Sequence, residues 1–127
     1  MKKMVPLLAL AAMLAIPSAA SAGCMATVGL SSLPKPDLRV GEPWNVTIRV
    51  LQHGRTPMTN ARPEIRIRNQ AGKLLRFKAK ATTRVGSYHA SVVFPAAGLY
   101  TLGVYDGFPH AQCARVHTFK SVVIGGV

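Results

Sequence analysis

The chain predicts an all-β fold, a seven-strand antiparallel sandwich of two sheets behind an N-terminal export signal. Three observations predict it. Seven stretches alternate apolar and polar residues with the two-residue period of a strand that buries one face. Gly, Pro and Asn clusters punctuate these stretches at roughly even spacing. No helical periodicity follows the leading apolar segment. Short, evenly spaced strands favour two packed sheets. An up-and-down barrel is the alternative, because strand patterns do not separate closure from stacking.

The leading segment comes first. Met1-Lys2-Lys3 is a basic start, Val5 to Ile16 is apolar but too short to span a bilayer, and Ala20-Ser21-Ala22 supplies small residues for cleavage. Residues 1–22 are therefore expected to be a cleaved signal peptide, leaving residues 23–127 as one domain in the periplasm or outside the cell. Ser21-Ala22-Gly23-Cys24 has the small residues and cysteine of a lipoprotein signal, with Ser21 where Leu is usual, so lipid anchoring at Cys24 is the alternative.

The strands follow in order. Residues 24–33 place Cys24, Ala26, Val28 and Leu30 on one face, and Pro34-Lys35-Pro36 then enforces an extended link. Trp44, Val46, Ile48 and Val50 point inward from the second strand, with Trp44 read as core. Ile65 and Ile67 do the same in the third, ahead of a turn at Asn69-Gln70-Ala71-Gly72. The fourth, Lys73 to Ala81, turns Leu75, Phe77 and Ala79 inward and Arg76, Lys78 and Lys80 outward. Tyr88, Ala90, Val92 and Phe94 line the fifth strand, and Tyr100, Leu102 and Val104 the sixth, across the break at Pro95 to Gly98. The seventh runs from Arg115 to Ile124, and its alternation slips at Lys120-Ser121, where a bulge is expected. Gly98-Leu99-Tyr100 resembles the tyrosine corner of immunoglobulin-like sandwiches, in which the phenol hydrogen-bonds back to the corner backbone.

The sequence holds two cysteines, Cys24 and Cys113. In an exported protein these are expected to form one disulfide, closing a loop of about ninety residues and contributing about 4 kcal/mol in the chain-entropy model. Lipidation would instead leave Cys113 as an unpaired thiol in an oxidising compartment.

Charge is the sharpest functional feature. Sixteen Lys and Arg stand against four acids, a formal net charge of +12. Loss of Lys2 and Lys3 with the signal takes two from that, leaving about +10, which favours anionic neighbours. The third and fourth strands concentrate the cations: Arg62, Arg66, Arg68, Arg76, Lys78 and Lys80 accompany a single acid, Glu64. Arg66, Arg68, Arg76, Lys78 and Lys80 are expected to share one outward face, where like charges opposed across strands are destabilising. Such a face either binds anions or guards a sheet edge against aggregation. Aromatics are not interleaved among these cations, so nucleic acid is not expected as a partner.

Catalytic patterns are missing from the sequence. The acids are scattered, and it contains no nucleophile elbow, phosphate-binding glycine loop or zinc-helix motif. An enzyme is not expected. His110 and His117 flank Cys113, and with Met25 and Met58 they provide imidazole and thioether donors of the kind copper accepts. The alternative reading is ordinary surface histidines, with His89 and His117 on solvent faces. His110, His117 and Met25 are the candidate ligands.

The run from Gly86 through Tyr88, Ala90, Val92, Phe94-Pro95 and Gly98 to Tyr100 resembles the core of YtkA-like domains. These are bacterial exported immunoglobulin-like sandwiches, distantly similar to CopC-type copper-binding domains. Pro43-Trp44-Asn45-Val46 and Leu51-Gln52-His53-Gly54 resemble the second-strand region and following loop of exported members. The resemblance implies the immunoglobulin-like fold and, more loosely, copper association. The sequence is thus expected to encode a non-enzymatic binding module of the bacterial cell envelope. Its basic hairpin face would meet an anionic surface or an envelope protein, with no transmembrane segment after signal cleavage. An exported copper-handling protein is the alternative.

Overall fold

Nine strands in two antiparallel sheets carry residues 24–126, the part of the chain described by the structure, a computed structural model. The expected signal, residues 1–22, lies outside the described residues. The strands are β1 (Ala26–Leu30), β2 (Pro43–Gln52), β3 (Thr56–Pro57), β4 (Glu64–Asn69), β5 (Leu74–Lys78), β6 (Lys80–Ala81), β7 (Ser87–Val93), β8 (Gly98–Tyr105) and β9 (Val116–Ile124). The first sheet has the order β1-β2-β7-β6, with β3 also on β2, and the second the order β5-β4-β8-β9. Two separate sheets make this a sandwich, not a barrel.

The strand count is nine where the alternation predicts seven, for two local reasons. Thr56 and Pro57 turn back onto Gln52 and Leu51 as a two-residue strand. The expected fourth strand divides at Ala79. Leu74–Lys78 pairs with β4, whereas Lys80 and Ala81 cross to the other sheet and pair with His89 and Tyr88. An unbroken side-chain alternation does not reveal that the backbone has changed partners.

The alternating residues fill the space between the sheets as expected. Ile48, Val50, Ile65, Ile67, Val92 and Val104 are fully buried, and Trp44 is core, its indole N–H donating to Ser32 Oγ at 3.1 Å. Phe94 and Tyr100 meet edge to face with centroids 4.9 Å apart, and the Tyr100 hydroxyl donates to the Ala96 carbonyl at 2.7 Å. The expected bulge is present. Tyr100 pairs with Val122 and Leu102 with Phe119, which leaves Lys120 and Ser121 opposite Thr101.

The proline link is not a free spacer. Leu38 is buried, and the chain beside it runs parallel to the end of β9, with Gly125 N–H donating to Leu38 O and Val40 N–H to Gly125 O. Cys24 and Cys113 are joined, with Cα atoms 5.1 Å apart. The bond ties the start of β1 to a single 3₁₀ turn, Ala111–Cys113, ahead of β9.

Candidate anion-binding face and groove

Register decides which cations meet. Across β4 and β5, Arg66 stands opposite Arg76, Glu64 opposite Lys78 and Arg68 opposite Leu74. On the other side of β4, Arg66 neighbours Gly103 and Glu64 neighbours Tyr105. These residues share the outer face of the second sheet, because each is an even number of positions from the next on its own strand.

Arg66 is locked in place. Its Nε donates to Glu64 Oε1 at 3.1 Å, and its guanidinium lies 4.2 Å from the centroid of the Tyr105 ring. The side chains of Arg66 and Glu64 are only 19% and 13% exposed, so the pair sits in a less screened setting than an ordinary surface ion pair. Gly103, with no side chain, leaves room beside Arg66 that Val116 partly fills. Glu64 satisfies one positive charge. Among the described residues, Arg62, Arg76 and Lys78 make no ion pair, and all three are exposed. Arg68 donates to Gly72 O at 2.8 Å and so braces the hairpin turn. Lys80 departs from the expected shared face, since it belongs to β6 in the other sheet.

Where the chain crosses between sheets a groove of about 850 Å³ opens. Arg62, Glu64, Lys78 and Tyr105 line its charged and aromatic side, while Ala79, Ala81, Pro63 and Phe108 form apolar wall. Two backbone segments hold it open. Tyr88, buried, donates its hydroxyl to Met58 O and accepts from Ala61 N–H, fixing the segment before β4. Arg62 N–H donates to Gly107 O at 2.9 Å, and a Cβ on Gly107 would fall on the Arg62 backbone itself. The segment is thus built for the closest approach that two main chains allow.

The opposite wall depends on Asp106. This carboxylate is 1% exposed. Its Oδ1 accepts Phe108 N–H at 2.9 Å, both oxygens lie 3.3 Å from Arg115 N, and Oδ2 lies 2.9 Å from His117 Nε2. A carboxylate only accepts, so the imidazole presents N–H to it at Nε2. His117 is therefore half-buried against Asp106, where a solvent-facing imidazole is expected from alternation alone. The sequence does hold a signal for Asp106. Asp followed by Gly at a strand end marks a turn in which the side chain caps the backbone two residues on.

The candidate metal donors are placed as follows. Met25 is exposed beside Cys24, His110 is exposed at the start of the 3₁₀ turn, and His117 is held by Asp106. Cys113 is in the disulfide and is not a thiolate ligand. Among the described residues, no three side chains of His, Cys, Asp and Glu come together as a metal-holding group. Comparison of the chain with models of known families and with curated proteins finds no match.

Proposed function

We propose that the chain is an exported, non-catalytic binding module of the bacterial cell envelope that takes anionic partners on the outer face of its second sheet. One observation carries this reading. Arg62, Arg76 and Lys78 make no ion pair among the described residues; Arg76 stands across from the Glu64-bound Arg66, and Arg62 and Lys78 line the groove beside Glu64. Opposing Arg66 and Arg76 costs the sheet stability, and an anion laid across them recovers it.

A heparin column tests the reading with the oxidised mature protein. Retention falls steeply with salt, as expected for exposed charges. The triple variant Arg62→Gln, Arg76→Gln, Lys78→Gln elutes at clearly lower salt. Arg66 is left alone because Glu64 and Tyr105 use it to hold the sheet. Unchanged retention of the triple variant removes the proposal.

The immunoglobulin-like, YtkA-like assignment belongs to the same proposal. It is supported by the sheet orders β1-β2-β7-β6 and β5-β4-β8-β9 and by the Tyr100 hydroxyl turned back to Ala96. Export is supported by the leading segment of the sequence and by the Cys24–Cys113 bond. Among the described residues, no helix is long and apolar enough to cross a membrane.

A further inference from the structure

Among the described residues nothing pairs with the outer edge of β5, and that edge has a specific hydrogen-bonding phase. Asn69 N–H donates to Lys73 O and Ala79 N–H to Pro63 O, so residues 73, 75, 77 and 79 direct their main-chain groups toward β4. Leu74, Arg76 and Lys78 therefore turn their N–H and C=O groups away from the sheet. β5 is the terminal strand of its sheet, and the chain leaves it at Ala79 for the other sheet. Two of the residues that present open main-chain groups, Arg76 and Lys78, are cations that make no ion pair among the described residues. The alternate residues, Leu75 and Phe77, are half-buried at the open seam between the sheets and offer apolar surface there.

We infer that this edge accepts an extended peptide segment in which acidic and apolar residues alternate, added as a further strand beside β5. The inference rests on the anion-binding reading above and names its partner class. Main-chain pairing to Leu74, Arg76 and Lys78 supplies affinity, and side chains at every second position supply specificity. Carboxylates two residues apart meet Arg76 and Lys78 on the outer face, as opposite-charge cross-strand pairs. The intervening apolar residues turn toward Leu75 and Phe77. A second copy of this chain does not fit the role. Pairing β5 with β5 sets Arg76 and Lys78 against the same cations and is repelled. The cationic edge therefore rejects its own kind and admits an acidic strand.

The test uses the oxidised mature protein and a capped peptide of alternating Glu and Val. Its control is the same peptide N-methylated at each Glu, which keeps the charge and removes the N–H groups that would face β5. In amide NMR the Glu-Val peptide shifts Leu74, Arg76 and Lys78 and slows their hydrogen exchange, and N-methylation weakens binding by at least about tenfold. The charge-reversed variant Arg76→Glu, Lys78→Glu loses the Glu-Val peptide and takes up a Lys-Val one. Equal binding of the two acidic peptides, shifts confined to another edge, or no binding each overturns strand addition. Heparin retention is read in parallel. If retention and its loss in the triple variant persist while the peptide fails, only the strand-addition inference falls. If wild-type retention is itself absent, the anion-binding reading falls.

Discussion

Asp106 and His117 face one another across 2.9 Å where β8 ends and β9 begins, with the carboxylate almost wholly withdrawn from water. The same carboxylate caps Phe108 and Arg115, so one side chain organises the whole connection from β8 to β9. Asp106→Ala leaves two backbone donors and an imidazole without their acceptor. The buried Phe108 N–H left unsatisfied costs about 1–3 kcal/mol, and the partly exposed Arg115 N–H and His117 ring lose less, so a total loss of about 2 kcal/mol or more is expected. His117→Gln removes one partner from a half-exposed position and costs about 1 kcal/mol. Urea unfolding of the two variants measures both, and equal small losses would contradict the organising role of Asp106.

Gly107 marks the opposite constraint, one of space. Its φ is +65°, and the position of its missing Cβ is occupied by the Arg62 main chain. Gly107→Ala must strain the backbone and push the segment carrying Arg62 away from the groove. Destabilisation by more than about 2 kcal/mol is expected. Gly72→Ala has positive φ but open space at the hairpin tip, so it carries only the conformational penalty. A variant pair of equal stability would show that the Gly107–Arg62 approach is not tight.

Alternation revealed the layers of this protein because each strand buries one face. Ile65, Ile67, Val92 and Val104 could be placed inward from period alone, and so could the slip at Lys120. Pairing partners are a different matter. Lys80 continues the alternation of β5 while its backbone has already crossed to β7, and side-chain pattern is blind to that exchange. The same limit applied to the site. Glu64 and Arg66 share a face by their spacing, but that Tyr105 lies beneath Arg66 depends on which strand neighbours β4. Asp106 carries the turn signal of Asp before Gly, but that three donors, Phe108 N–H, Arg115 N–H and the His117 ring, converge on it depends on how β9 returns beside β8.

The Cys24–Cys113 bond closes a sequence separation of 89 residues. Loop-closure entropy assigns it about 4 kcal/mol, a large share of the stability of a domain this size. The paired substitution Cys24→Ser, Cys113→Ser is expected to lower the urea midpoint markedly, with an intact-mass deficit of two hydrogens in the wild type alone. Reduction of the wild type should reproduce the loss. A lipid mass on Cys24 or two titratable thiols would contradict the bond.

Glu42 provides the pH-dependent element. Its carboxylate accepts Arg39 N–H at 3.1 Å and lies 3.2 Å from Lys35 Nζ, and these contacts, the backbone hydrogen bond foremost, hold its pKa below the usual 4.5. A folded-state pKa below the unfolded one gives stabilisation that is present above the unfolded value and is lost as pH falls through the folded one. The stability gap between wild type and Glu42→Gln should therefore be present at neutral pH and close as the pH falls below the ordinary 4.5. Carboxyl-carbon NMR of Glu42 gives its pKa directly, and a midpoint at or above the ordinary value would refute the sign.

Arg76 separates stability from binding. It stands across from Arg66, whose guanidinium is held between Glu64 and Tyr105. Arg76→Glu replaces a like-charge neighbour with a complementary one, and cross-strand pairs of this kind are worth about 0.2–1 kcal/mol. The variant should therefore unfold at higher urea than wild type. It also removes one of the three face cations that make no ion pair among the described residues, so retention on heparin should fall. A cation kept only to guard the edge predicts a different result, since Glu guards an edge as well as Arg does. In that case Arg76→Glu gains stability and leaves retention where it was. A more stable protein that binds less would show that Arg76 is held in an unfavourable place for the sake of its ligand.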